Sequence, residues 1–180
     1  MRYLAFIIAA LTSAEMQAFG LAPRLVVNVT IDQLRTDYME AFYPLYGQGG
    51  FRRLMQQGLV YEGGRYPFTP VDRSSATATL SSGATPYLHG IVGTQWLDRA
   101  TLRPVNCVAD EKYSSSPQRL LTSTLGDELK MSSNGTAIVY SFSQDKESAI
   151  LSAGHAADGA FWMGDNGTWT GTKYYSTSLP

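Results

Sequence analysis

An α/β fold is predicted from three observations. Runs rich in β-branched residues alternate along the chain with amphipathic or small-residue segments of helical length. The first run, residues 24–31 (RLVVNVTI), is nearly continuous in apolar character, the pattern of a strand covered on both faces of a parallel sheet. A composition of 44% hydrophobic and 16% charged residues gives this 180-residue chain enough apolar mass for one core and too little charge for a disordered tail. The expectation is a mostly parallel sheet flanked by helices.

Taken in order, the elements begin with a leader. Met1 and Arg2 make a positive start, and residues 3–11 (YLAFIIAAL) form an apolar run of signal-peptide length, too short to span a bilayer. Residues 1–18 are therefore expected to be a signal peptide, and 19–180 the mature, exported domain, periplasmic or extracellular. Residues 24–31 are expected to be the first central strand, with Asp32 at its carboxyl end. Residues 50–57 (GFRRLMQQ), stopped by Gly58, read as a helix packed on the sheet, and 59–61 as a short strand. Residues 72–82 (DRSSATATLSS) are almost all small and predict a helix that lies close to its neighbours, closed by Gly83 and Pro86. A hairpin is expected from 93–98 and 101–108. Ser116-Pro117 reads as a helix start, with Leu120, Leu121, Leu125 and Leu129 on one apolar stripe. Residues 137–142 predict a buried strand, 146–152 a helix, and 160–162 with 169–175 a hairpin turned at Asp165-Asn166-Gly167. The ending at Leu179-Pro180 directly follows a hairpin, so the sheet would carry an open edge and the chain is expected to be part of a larger domain.

Charge and composition narrow the chemistry. Fourteen Lys and Arg against fifteen Asp and Glu leave no basic field to recruit a nucleic-acid duplex or an anionic membrane. No membrane span is expected once the leader is removed. One cysteine, Cys107, excludes an internal disulfide and a thiolate metal cluster within the chain. Two histidines, His89 and His155, are few for a multinuclear metal site and are read as packed or turn residues. Asp158, Asp165, Trp162 and Trp169 are likewise read as turn and core residues. Sequons at Asn28, Asn134 and Asn166 carry little weight, since such triplets arise by chance.

Two segments carry functional signals. In open α/β sheets ligands collect beyond the carboxyl ends of strands, so Asp32 is placed to hold a divalent cation, or else to cap the helix that follows. In FTPVDRSSATATLSSGATPYLHGIVG, hydroxyls crowd a helix start whose amide protons would attract phosphate, or else serve close packing.

The segments VVNVTIDQLRTDYM, SSGATPYLHGIVG and AILSAGHAADGAFW, with the YY and LP of KYYSTSLP, resemble in motif and order the alkaline phosphatase superfamily. The resemblance is to the N-terminal portion of its branch of type I phosphodiesterases, nucleotide pyrophosphatases and related monoesterases. It implies an α/β protein that hydrolyses phosphoric esters with two zinc ions and a Thr or Ser nucleophile at a helix N-terminus. Asp32 matches the family's first metal-binding Asp. Counting back ten residues from Gly83 to the family's nucleophile reaches Arg73, and Ser74 is the nearest hydroxyl. Thr94 stands where the family's phosphate-binding Asn closes the HGI segment. Asp145 and Glu147, flanking Lys146, stand where the monoesterases carry a Lys and an Arg. The family's remaining zinc ligands fall beyond residue 180.

Three readings follow. In the first, Ser74, or its neighbour Ser75, attacks phosphorus beside zinc held partly by Asp32. In the second, the chain is a degenerate member that binds a phosphate- or sulfate-ester small molecule through Arg73. In the third, the eleven Tyr and three Trp serve a surface that binds a protein partner.

Overall fold

The computed structural model describes residues 24–176. The expected signal peptide at 1–18 and the closing Leu179-Pro180 lie outside the described residues. The chain divides into two compact units, one ending at Gln57 and the other beginning at Gly58. Among the described residues no helix is long and apolar enough to cross a membrane.

The first unit holds helices α1 (Thr36–Ala41) and α2 (Phe51–Gln57), with a 3-10 turn at Tyr43–Leu45 between them. Helix α2 forms where its amphipathic pattern places it, but none of its residues is buried. Aromatic contacts hold the unit together. The Arg52 guanidinium lies 4.7 Å from the centre of the Tyr43 ring and donates to the Tyr43 carbonyl (3.0 Å), and Tyr46 packs on Phe51 at 5.2 Å. The expected strand at 24–31 does not form. A strand exists only with a hydrogen-bonded neighbour, and no segment among the described residues pairs with this one, so it runs as irregular chain with exposed side chains, from 51% at Ile31 to 79% at Leu25. Asn28 is exposed with it. The same holds for 59–61 in the second unit.

The second unit carries the core. Helix α3 (Arg73–Ser82) begins at an Asp72 N-cap and ends at Gly83, whose φ of 70° supplies the left-handed C-cap. Pro86 opens a further short helix, α4 (Pro86–His89), by occupying its first turn. Strands β1 (Gln95–Leu97) and β2 (Pro104–Asn106) form the expected hairpin, followed by a second small antiparallel pair, β3 (Ala109–Asp110) and β4 (Ser114–Ser115).

The leucine-rich helix starts later than its sequence suggests. Ser116-Pro117 makes only one turn, closed by Leu120 N–H on the Pro117 carbonyl (2.8 Å), before Leu121 N–H is taken by the His89 carbonyl (3.0 Å). The helix, α5 (Leu125–Ser132), begins at Thr124, where Thr124 and Asp127 cap each other's backbone amides. Leu120 is buried, whereas Leu121 and Leu125 are exposed, so the four leucines do not form one buried stripe.

Strand β5 (Tyr140–Ser143), helix α6 (Lys146–Ala153) and strand β6 (Gly159–Met163) make a parallel βαβ unit, and β7 (Trp169–Gly171) adds antiparallel to β6. Strand β5 is shorter than expected because the Val139 amide donates to Asp158 Oδ2 (2.7 Å) instead of to a ladder. Among the described residues it is an edge strand, and Tyr140 and Phe142 are exposed rather than buried. The core joins Ala78 of α3, Ile91, Cys107, Val108, Leu120, and Ala149, Ile150, Leu151 and Ala153 of α6. The small residues of α3 have the consequence foreseen for them. With Ala78 facing Ala149 and Ala153 the helices approach closely enough for Ser81 Oγ to donate to the Leu151 carbonyl (2.8 Å).

Candidate functional site

Three of the sequence-selected residues, Arg73, Ser74 and Thr94, come together in the second unit at the start of α3. Thr94 is delivered there by a buried histidine. His89 Nδ1 accepts the Ile91 amide (3.1 Å), so its Nε2–H donates to Thr79 Oγ1 of α3 (3.0 Å) and pins the 90–94 segment against that helix. Burial pushes the His89 pKa down, and the ring is neutral in its structural role.

At the helix start the Ser74 amide is already taken by the N-cap side chain. Asp72 Oδ1 accepts both the Ser74 amide (2.8 Å) and Thr94 Oγ1 (3.0 Å). Because the Thr94 proton goes to that carboxylate, the Ser74 hydroxyl is the donor in its 2.9 Å contact with Thr94 Oγ1. Ser74 is fully buried, and its hydroxyl also meets the Cys107 thiol. Burial pushes that thiol up to about 11; the Ser74 contact opposes the shift, and the charges of Glu147 and Asp72 add to it. Ser75 completes the capping box: its hydroxyl donates to the Asp72 carbonyl (2.9 Å) and accepts the Asp72 amide (3.1 Å). Asp72 was not singled out as a site residue, although an Asp one residue before a small-residue helix is an ordinary N-cap signal.

Arg73 points the other way. Its Nη1 lies 3.6 Å from Asp145 Oδ2, with the Arg73 side chain half exposed. Asp145 is also the N-cap of α6, accepting the Ser148 amide (2.8 Å). Glu147 Oε1 accepts Asn106 Nδ2 (2.7 Å), and Lys146 Nζ is 4.0 Å from the same oxygen. Asp72, Asp145 and Glu147 are each answered by a donor from the chain itself. A hydroxyl attacks phosphorus only if its proton can leave and its oxygen is accessible; the Ser74 hydroxyl is committed to Thr94 and has no exposed surface.

Asp32 stands in the first unit, exposed, in the turn before Gln33, whose φ is 60°. It does not cap the following helix: Arg35 occupies the N-cap position of α1. Among the described residues no three His, Cys, Asp or Glu side chains form a cluster that could hold a metal ion. His155 faces inward, Nδ1 toward Asp127 Oδ2 (3.2 Å) and Nε2 toward the Leu120 carbonyl (2.9 Å). Asp158 is a structural partner of Lys130 (2.8 Å).

Comparison with known proteins places this geometry. Residues 26–179 match the model of the type I phosphodiesterase / nucleotide pyrophosphatase family. The chain is 37% identical over 169 residues to alkaline phosphatase PhoV of Synechococcus elongatus, covering 88% of this chain and 31% of PhoV. It is 32% identical over 170 residues to alkaline phosphatase PafA of Elizabethkingia meningoseptica, covering 88% of this chain and 31% of PafA. A crystal structure of wild-type PafA superposes with a TM-score of 0.86 at 32% identity, over 89% of this chain and 34% of that one. A PafA variant with one threonine changed to serine, and an asparagine, a lysine and an arginine changed to alanine, superposes equally well. The chain thus spans about a third of the length of the curated relatives it matches. It has the alkaline phosphatase fold and belongs to the type I phosphodiesterase / nucleotide pyrophosphatase family.

Proposed function

We propose that this chain is an exported, non-hydrolytic member of its family that binds phosphate or sulfate esters through Arg73. The observation that carries this reading is the state of Ser74: a hydroxyl at the family's helix start, wholly buried and donating to Thr94, beneath a carboxylate that fills the amide cradle. The interval between the threonine and asparagine altered in the PafA variant equals that between Arg73 and Thr94. Its lysine and arginine flank one residue, as Asp145 and Glu147 do. That correspondence supports the assignment of these four positions as the altered counterparts of the ester site. The Asp145 carboxylate 3.6 Å from the guanidinium disfavours a highly charged anion, while the half-exposed Arg73 offers a forked, permanently charged donor to a monoanionic oxygen.

The family's metal dependence gives Asp32 its place in this reading, as one hard oxygen ligand toward zinc, a Lewis acid when bound. The described residues supply no cluster to complete such a site.

The test is a calorimetric titration of the full-length protein, with zinc, against 4-nitrophenyl sulfate and 4-nitrophenyl phosphate. Binding weakened about tenfold in Arg73→Gln, with no nitrophenol released, supports the reading. Binding indifferent to Arg73→Gln overturns it.

A further inference from the structure

We propose a second binding site, for a planar ring carrying an oxyanion, in a groove of about 860 Å³ in the second unit. Tyr113, Ser114, Arg119, Trp162, Lys112 and Lys173 shape it, and none of Asp72, Arg73, Ser74, Thr94, Asp145 or Glu147 lines it. The volume is in the range of small-molecule sites.

Three observations point to the ligand. Arg119 Nε is buried and has no hydrogen-bond partner among the described residues, an orphaned donor of the kind that native structures rarely leave. The groove presents three cations, Lys112, Arg119 and Lys173, against two carboxylates, Asp110 and Glu111. Of these, Asp110 is already committed: Oδ1 accepts the Lys112 (2.7 Å) and Tyr113 (2.8 Å) amides, and Oδ2 accepts Ser116 Oγ (2.5 Å). Lys112 is engaged as well, its Nζ 4.7 Å from the centre of the Tyr113 ring, so Arg119 and Lys173 stand against Glu111, a balance that still favours an anion. Half-buried Trp162, packed on the core from one side, and the Tyr113 face not covered by Lys112, with Tyr174 edge-on at 5.4 Å, offer ring surface on which a ligand ring can stack.

The site is tested on full-length protein by calorimetric titration with naphthalene-2-sulfonate, alongside naphthalene-2-methanol, which lacks the anion, and methanesulfonate, which lacks the ring. None of the three is an ester, so the outcome is separable from that of the Arg73 site. We expect the sulfonate alone to bind, about tenfold more weakly in Arg119→Gln and in Trp162→Leu, and within twofold of wild type in Arg73→Gln. Lys173→Glu, at an exposed position, serves as a second anion-side variant should Arg119→Gln fail to fold, and a similar loss is expected from it. No binding, binding unchanged by both Arg119→Gln and Lys173→Glu, or binding abolished by Arg73→Gln would each overturn the proposal.

Discussion

Asp127 is the most heavily loaded polar group in the second unit, and replacing it tests how the site is held. Its Oδ1 accepts the His155 (2.8 Å) and Ala156 (2.7 Å) amides; its Oδ2 accepts the Thr124 amide (2.8 Å), Thr124 Oγ1 (3.1 Å) and His155 Nδ1–H (3.2 Å). It thereby ties the start of α5 to the turn that ends α6, the helix whose other end carries Asp145 and Glu147. Burial pushes the Asp127 carboxyl up, but the bonds from His155, Thr124 and Ala156 prevail and hold it well below the usual carboxylate range. In Asp127→Asn the amide group faces the Thr124 N–H and the His155 Nδ1–H, donor against donor. The buried Thr124 N–H is stranded and the partly exposed His155 loses its charged partner, at about 1–3 kcal/mol each, so the expected loss is about 2–6 kcal/mol. Urea unfolding of the full-length protein at pH 6 measures it, as a lower midpoint at unchanged slope. The carboxylate's folded value lies below its ordinary 3.8, so its contribution is present above that pH and is lost as pH falls through the depressed value. His155, raised above its ordinary 6.5 by the Asp127 bond against the cost of burial, contributes below that pH and loses its contribution as pH rises through the raised value. The cost of Asp127→Asn should therefore be larger at pH 6 than at pH 9. A loss under about 1 kcal/mol at pH 6, or one that grows toward pH 9, would refute the reasoning.

Two further outcomes follow from the same packing. Gly154, at φ 79° and ψ −156°, closes α6 where a Cβ would run into Thr124 Oγ1 and Asp127 Oδ2, so Gly154→Ala should cost at least about 3 kcal/mol in the same unfolding experiment. An alanine as stable as the glycine would mean that the α5–α6 junction is not packed as described. The Cys107 thiol, buried and pushed up to about 11, should resist an aromatic disulfide reagent at pH 8 in the native protein and react on unfolding in urea, and fast native labelling would contradict its place beside Ser74.

How much of this was legible in the sequence depended on whether an element carries its own signal. Helix α3 was legible because a run of small residues ends at a closing Gly83, and α6 was placed within a residue of its bounds, Lys146–Ala153. The β6–β7 hairpin was legible from its Asp-Asn-Gly turn. Residues 24–31 were misread because β-branched residues record a preference, whereas a strand requires a neighbour that the local sequence does not name. The start of α5 was misread because Ser116-Pro117 and Thr124 are both plausible caps, and the choice is made by Asp127, whose capping box is supported from 153–156 far along the chain. At the candidate site, motif position brought out Arg73, Ser74 and Thr94. That the Asp72 carboxylate bridges Ser74 and Thr94 is a fact of three dimensions, set by the His89 bond to Thr79 that brings Thr94 to the helix start.

The central claim is that Ser74 is a sealed structural hydroxyl rather than a nucleophile. It is tested most directly by nitrophenol release from 4-nitrophenyl phosphate and bis(4-nitrophenyl) phosphate, using the full-length protein with zinc and its Ser74→Ala variant side by side. The account predicts equal, background rates for the two proteins on both esters. Turnover by the natural protein that disappears in Ser74→Ala would contradict it.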